Sequence, residues 1–271
     1  MARGEHSETR VYRSFSDDFV ESEEQDYRLP DDYVWVDESR AFRAQAAVAR
    51  ALGLLFSKAY CSLALGLRVE GREAVAPVAA KGGCFLYANH TQPIGDACVP
   101  LLVARPRRSY VVISPANLKV KGIGPLLPWL GGLPLPDTVA GGKRLSEAVR
   151  TRLSQGHAVT VYPEGHLWPW HVGIRPLPAA AFGWPVATGR PVFALTSTYH
   201  ARPHRSTPRC VVYVDGPFYP DNTLPRPARK ERLRDEVQEA MLARAATSDC
   251  AHVRYVPAPG APAMPQGGEA A

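Results

Sequence analysis

Residues 87–97, YANHTQPIGDA, bring an imidazole and a carboxylate close together directly after a predicted buried strand. His90 follows the strand, and Asp96 lies about one helical turn further on, with Pro93 suited to start a helix between them. Sites of α/β proteins form in such loops. A carboxylate that orients an imidazole makes a general base near neutral pH. Taken alone, such a pair is more often a helix-capping Asp and a structural His.

A second segment, VYPEGHLWPWHVGIRPL at residues 161–177, also runs from a predicted strand into a loop. Glu164 and Gly165 open this loop, and Trp168 and Trp170 follow. Two tryptophans in a loop need either a hydrophobic core or a lipid to cover them, and the sequence leaves both open.

Together, the two segments resemble the glycerolipid acyltransferase family, whose type member is 1-acylglycerol-3-phosphate O-acyltransferase. The family's first block, Asn-His followed by Asp, is similar to Asn89, His90 and Asp96. Its third block, aromatic-Pro-Glu-Gly, resembles residues 162–165, and its Pro-led fourth block resembles residues 191–194. The ordered set covers about residues 80–200. The resemblance implies catalytic roles for His90 and Asp96, and substrate-binding roles for Asn89, Glu164 and Gly165.

Three departures from the family pattern suggest a subgroup. Five residues, 91–95, separate His90 from Asp96, where the family usually has four, and we expect Gly95 to absorb the extra residue by a bulge. The second block usually offers an arginine for the acceptor's phosphate, yet residues 131–137 contain none. Glu-Gly-Thr-Arg is replaced by residues 164–167, Glu-Gly-His-Leu. Either Arg175, Lys143 or Arg144 therefore binds the phosphate, or the acceptor is unusual.

The resemblance implies transfer of a fatty acyl group to the hydroxyl of a lysophospholipid, with 1-acyl-sn-glycerol-3-phosphate as the expected acceptor. The donor would be acyl-CoA or an acyl carrier protein, and no cofactor is expected. Two alternatives stay open: a different lysolipid or glycolipid acceptor, or a non-catalytic lipid-binding protein on the same fold. No metal site is expected, because the histidines lack a His-Glu-x-x-His pattern. A Gly-x-Ser-x-Gly elbow and a phosphate-binding Gly-rich loop are also missing.

Charge and cysteine usage suggest the cellular setting. Among the 271 residues, positions 1–40 hold five Arg and twelve Asp or Glu, whereas the rest is strongly basic and the net charge is +6. A basic body suits an anionic membrane, and the spread of its cations argues against a nucleic-acid partner. Five scattered cysteines indicate reduced thiols, and the charged first residues predict no cleaved signal. We therefore expect a cytoplasmic protein attached peripherally to the inner face of the cell membrane.

Short apolar runs alternating with helical patterns predict an α/β fold: one domain with a central, mostly parallel sheet flanked by helices. We expect a flexible acidic arm at 1–32, an N-terminal amphipathic helical segment at 33–75, an acyltransferase domain at 76–256 and a disordered tail at 257–271. Charges interrupt the apolar run at 40–67, which predicts either a helix lying in a membrane interface or a core-facing helix. Strands are predicted at residues 84–88, 109–114, 158–162, 192–197 and 210–214, and helices at 142–154 and 228–246.

Overall fold

The structure is a computed structural model that describes residues 8–20 and 24–265. Every predicted strand and helix is present, with small differences at the ends. In this part of the chain the strands are β1 (Glu8–Tyr12), β2 (Arg68–Glu70), β3 (Cys84–Ala88), β4 (Ser109–Ile113), β5 (Gly132–Pro134), β6 (Ala158–Val161), β7 (Val192–His200), β8 (Arg209–Phe218) and β9 (Val253–Pro257). The α-helices are α1 (Arg40–Leu63), α2 (Val75–Ala80), α3 (Gly95–Val103), α4 (Leu127–Leu130), α5 (Val139–Ser154), α6 (Gly183–Thr188) and α7 (Arg226–Ala245).

Seven strands form the central sheet in the order β2-β8-β7-β3-β6-β4-β5. Neighbouring strands are parallel except for β7 and β8, which pair antiparallel. β3 and β6 are buried at every residue, as expected for central strands with helices over both faces. The predicted α/β class with a mostly parallel sheet is confirmed. The carboxyl ends of β3 and β6 lie side by side, which brings the two motif loops to one edge of the sheet.

Two hydrophobic clusters cover the two faces of the sheet. Alternate residues of β3 point to opposite faces, so that Phe85 and Tyr87 join one cluster and Leu86 joins the other. The first cluster receives α5 and α7, which present apolar residues at helical spacing, and the second receives α1, α2 and α3. The buried faces of the two long helices of the first cluster consist of Leu145, Val149 and Leu153 in α5 and Leu233, Val237 and Met241 in α7.

α1 packs against α3 and α4 but leaves much of its apolar surface uncovered. Its helix begins after Ser39, whose Oγ accepts a hydrogen bond from the Phe42 amide at 3.2 Å. By length and composition alone, it is the one helix of the described residues that could cross a membrane. Five of its apolar side chains are more than half exposed: Val48, Leu52, Leu55, Phe56 and Leu63.

The N-terminal arm differs from the flexible segment predicted for residues 1–32. Residues 1–7 and 21–23 lie outside the described part of the chain, but β1 forms a parallel pair with β9, and Tyr12 is buried. The acidic composition concealed this strand because its partner lies near the other end of the chain. The same pairing extends ordered structure to Pro257, and the Tyr12 hydroxyl donates to the Pro262 carbonyl at 2.9 Å. Of the predicted disordered tail, residues 266–271 are outside the description.

Candidate active site

His90 and Asp96 are in direct contact at the carboxyl end of β3. Nδ1 of His90 lies 2.7 Å from Oδ2 of Asp96, which also accepts a hydrogen bond from the Gln92 amide at 3.0 Å. Burial raises the pKa of Asp96, and the hydrogen bond to His90 opposes that shift. His90 remains a quarter exposed, and within the described residues its other ring nitrogen, Nε2, has no hydrogen-bond partner. The ring is therefore oriented by a carboxylate and open to a substrate hydroxyl.

The five-residue spacing does not separate the pair, although Gly95 acts differently from our prediction. Gly95 begins α3 in an ordinary helical conformation and forms no bulge. Glycine is required here because it has no side chain: a Cβ at this position would clash with Cβ of Gln92, at a distance of 2.8 Å. The extra residue is accommodated in a tight turn in which the Asp96 amide donates to the Gln92 carbonyl at 3.1 Å.

The loop after β6 holds the His90 loop in place through backbone and aromatic contacts. The amides of Trp168 and Trp170 donate to the carbonyls of His90 and Thr91 at 3.0 and 2.8 Å. The Tyr162 ring lies 4.5 Å from the His90 ring, centroid to centroid, and its hydroxyl donates to the Asp96 carbonyl at 2.5 Å. The two motifs thus form one rigid unit around the imidazole.

Glu164 lies beneath this unit as a buried ion pair with Arg175. Its Oε2 accepts from the His90 amide at 2.9 Å and from Nη2 of Arg175 at 3.0 Å, while Oε1 accepts from the Arg175 amide at 2.9 Å. The guanidinium also donates to the carbonyls of Phe15 and His166 and lies over the Trp168 ring. Both side chains are at most 1% exposed. Arg175 is therefore placed to hold Glu164, and it cannot reach a phosphate in solution.

The remaining predicted substrate-binding residues lie in different settings. Asn89 is buried and joins β3 to β7, since its side chain exchanges two hydrogen bonds with the backbone of Ser197. Gly165 is exposed beside the cleft with a positive φ of 81°, which suits the turn after Glu164. Lys143 is exposed on α5 and Arg144 lies over the Trp35 ring, and neither lines the cleft that contains His90. The structure does not bring these two cations to His90.

The cleft beside His90 has a volume of about 2150 Å³. Common small-ligand pockets measure about 300–1,000 Å³, so this one suits a long flexible molecule. Asp96, Gly165 and His166 line it near His90. Apolar side chains from α1 and the 3₁₀ turns before α4 line its other parts, including Leu52, Phe56, Val120, Ile123 and Leu126.

The two loop tryptophans are covered by protein. Trp168 is fully buried and stacks on Tyr255 of β9 at 4.8 Å between ring centroids. Trp170 packs on Tyr199 and His252. Of the two covers that the sequence left open, the structure supplies a small core, built partly from the N- and C-terminal segments. Throughout residues 8–20 and 24–265, no three His, Cys, Asp or Glu side chains lie close enough together to hold a metal ion.

Several contacts of the site were not predicted from the sequence. The Tyr162 ring is tilted against the His90 ring, the Tyr199 hydroxyl bonds to Thr91 and Gln92, and Asp18 lies 3.6 Å from His166 at the cleft. The position of Tyr162 directly after a strand was a weak indication of its contact with His90. The other contacts join segments far apart in the chain, and no local pattern marks them.

Comparison with known proteins supports the fold. No family model matches the sequence, and no curated protein matches it either. Among solved structures, the chain is similar to the 1-acyl-sn-glycerophosphate (LPA) acyltransferase PlsC from Thermotoga maritima, with 17% sequence identity and a TM-score of 0.55. The likeness covers 80% of this chain and 87% of that chain. The α/β fold predicted from the alternating strand and helix patterns is thereby confirmed.

Proposed function

We propose that the protein is an acyltransferase that moves a fatty acyl group from acyl-CoA or acyl carrier protein to the hydroxyl of a lysophospholipid. The expected acceptor is 1-acyl-sn-glycerol-3-phosphate. The observation that carries the proposal is the 2.7 Å contact between His90 and Asp96 at the wall of a lipid-sized cleft. The fold that the chain shares with an LPA acyltransferase supports it.

His90 would act as the general base. Nε2 takes the proton of the acceptor hydroxyl as its oxygen attacks the thioester carbonyl, and Asp96 stabilises the imidazolium that forms. When the carbon–sulfur bond breaks, the imidazolium returns its proton to the leaving thiolate. Both substrates meet at one base, and no acyl-enzyme is needed.

Glu164 and Tyr162 would act as positioning residues. Glu164 fixes the backbone of His90 through the amide hydrogen bond of 2.9 Å, and Tyr162 fixes the ring from one side. A rigid base costs no reorganisation during the reaction, which is where much of the catalytic advantage of such sites arises.

Phosphate recognition would then fall to other cations than those predicted from the sequence. Arg175 is paired with Glu164, and Lys143 and Arg144 lie away from the cleft. The basic side chains that do line the cleft are Lys119, Lys121, Arg150 and Arg226. We propose them as the ligands of the acceptor's phosphate.

A different acceptor, another lysolipid or a glycolipid, is the second candidate. Asp18 and His166 form a 3.6 Å pair at the cleft, and a carboxylate there disfavours a phosphate and favours hydroxyl or amine groups. A panel of acceptors decides between the two: preference for lysophosphatidic acid supports the first proposal, and preference for an acceptor without a phosphomonoester supports the second. A His-to-Asp spacing longer than the family's would favour a non-catalytic protein if it separated the two side chains, and their 2.7 Å contact argues against that alternative.

Membrane attachment is proposed from the uncovered apolar face of α1 and the basic body of the chain. The protein would lie on the anionic inner face of the cell membrane, on the cytoplasmic side. Cosedimentation with anionic vesicles tests this, and equal recovery with and without vesicles would refute it.

The decisive experiment is His90→Ala, assayed with both donors and several lysolipids. We expect acyl transfer to fall about 10²–10⁴-fold, because that is the usual contribution of general-base catalysis. Lys143→Ala is the matched control, since Lys143 is exposed and lies outside the cleft, and its activity should equal that of the parent protein. If His90→Ala folds and keeps activity within a few-fold of the parent, His90 is not the base.

A further inference from the structure

The edge of the sheet opposite His90 carries four arginines around one tyrosine. This edge is where β3, β6 and β4 begin, with Cys84 paired to Ala158 and Ala158 to Ser109. Next to Ser109 is Tyr110. We call the residues converging on it the Tyr110 cluster: Arg50 from α1, Arg107 and Arg108 before β4, Tyr110, Arg152 from α5 and His157 before β6.

The guanidinium groups are held close together. Cζ of Arg50 lies 5.0 Å and Cζ of Arg152 lies 4.6 Å from the centroid of the Tyr110 ring. Arg108 is near enough to the phenol to lower its pKa together with Arg50 and Arg152, against the opposite effect of burial. Arg107 lies beside Gly156, where a Cβ would be 3.4 Å from its Nη1.

Within the described residues the cluster has no direct carboxylate partner, and the nearest acidic contact is Glu38, which accepts from Gln155 at 3.2 Å. None of its four arginines forms an ion pair with a carboxylate there, although many other arginines do. Burial, followed by the charges of the four arginines, lowers the pKa of His157 to about 4. The same causes, burial first and then Arg108 and Arg152, lower the pKa of Arg50.

Two buried nitrogen atoms of the cluster also lack partners. Arg152 is only 7% exposed, yet its Nε has no hydrogen bond, as is also true of Nδ1 of His157. The rest of the cluster is well held: Nη1 of Arg152 donates to Gln155 at 3.1 Å, and Nε of Arg50 donates to the Trp129 carbonyl at 3.0 Å. A buried nitrogen atom without a hydrogen bond is costly to a fold, and among arginines that have no ion pair it indicates a missing partner.

We propose that the Tyr110 cluster is a second binding site, which takes a phosphate mono- or diester. Guanidinium groups present paired donors in a plane, the geometry that matches phosphate oxygens. Such a group could belong to a phospholipid headgroup or to a soluble phosphorylated molecule, and both share this chemistry. The site lies at the other edge of the sheet from His90 and does not depend on acyl transfer by the protein.

The test uses the full chain and inorganic phosphate, measured by calorimetry against chloride at equal ionic strength. The double variant Arg107→Gln/Arg108→Gln removes the two cations of the segment before β4 and should weaken phosphate binding at least about tenfold. Arg205→Gln/Arg209→Gln removes the same charge elsewhere and should bind like the parent. The midpoint of the His157 titration, followed by NMR, should also rise when phosphate binds.

A second arm identifies the source of the phosphate. Vesicles of phosphatidylglycerol in phosphatidylcholine are compared with phosphatidylcholine alone. Loss of vesicle binding in the cluster variant but not in the control indicates a lipid headgroup, whereas loss of inorganic phosphate binding alone indicates a soluble ligand. If phosphate binds the parent no better than chloride, or if both double variants lose binding equally, the cluster is not a phosphate site.

Discussion

Two buried arginines at opposite edges of the sheet show how differently the same side chain is used. Arg175, below His90, lies over Trp168 and is paired with Glu164 at 3.0 Å. Arg152 lies over Tyr110 in a similar way, and Nε has no hydrogen bond in either arginine, but none of the described carboxylates forms an ion pair with Arg152. The ring contact is therefore common to both, and the difference lies in the counter-charge. An arginine that is paired with a carboxylate is occupied within the fold, whereas an arginine without such a partner is available to a ligand.

The comparison also corrects an expectation about the candidate active site. Arg175 follows the Glu-Gly motif and was predicted to bind the acceptor's phosphate, but its charge is neutralised by the ion pair with Glu164. The arginines that form no ion pair lie in the Tyr110 cluster, where no catalytic motif occurs. A cation near a motif is thus a weaker sign of phosphate binding than a cation without an acid beside it.

The largest expected effect is on the rate of acyl transfer, and it tests whether His90 depends on the negative charge of Asp96. In Asp96→Asn the amide keeps the shape of the carboxylate but cannot stabilise an imidazolium, so we expect the rate of acyl transfer to fall about 10²–10⁴-fold. Steady-state kinetics would measure it, with the melting temperature confirming the fold. A rate within a few-fold of the parent would show that Asp96 is only a structural partner of His90.

The next largest effect is on stability and concerns the buried ion pair between Glu164 and Arg175. Glu164→Ala leaves the Arg175 charge buried and alone, and we expect it to lower the free energy of unfolding by about 3–5 kcal/mol, measured by urea denaturation. The matched control is Asp215→Ala, which breaks the more exposed pair with Arg244 and should cost less than about 1 kcal/mol.

Adding Arg175→Met to Glu164→Ala sharpens this result. The double variant has no unpaired buried charge and should recover part of the lost stability. If Glu164→Ala costs no more than Asp215→Ala, the charge of Arg175 does not depend on Glu164 for its stability in the core.

The smallest effect is the dependence of stability on pH, which involves His157 of the Tyr110 cluster. The pKa of His157 is about 4 in the fold, lowered by burial and then by the nearby arginines, and that of His171 is also about 4, chiefly through burial. An unfolded histidine titrates at about 6.5, so below that pH the unfolded chain binds protons that the fold refuses, and stability falls toward pH 4.

NMR titration separates the two histidines. Bound phosphate should raise the midpoint of His157 and leave that of His171 unchanged, because His171 lies beside Glu164 and Arg175 rather than in the Tyr110 cluster. Melting curves should then show a weaker loss of stability with acid in phosphate than in chloride. Equal shifts of both histidines would point to a general ionic effect.

Much of the fold was predictable because its signals are local. The apolar runs at 84–88 and 158–162 are buried central strands, and the expected contact between His90 and Asp96 exists. The residues within each motif are close in sequence, and the parallel pairing of β3 with β6 brings the two motifs to the same edge of the sheet.

The rest depends on contacts between distant segments. The pairing of β1 with β9, the bond from Trp168 to the Asp17 carbonyl and the burial of Arg175 arise from segments more than 100 residues apart. A charged strand and an arginine in a loop look solvent-exposed when read locally. Their burial is decided by the partner that packs on them, which no periodicity reveals.

The pairing of β1 with β9 has a consequence for synthesis on the ribosome. Glu8 is made before every strand of the central sheet, but its neighbour Val253 emerges only after the whole central sheet has been translated. Phe15 and Asp17 follow β1 and bind Arg175 and Trp168, so the loop beside His90 gains its full support last. A nascent chain can thus complete its sheet well before it acquires a competent centre.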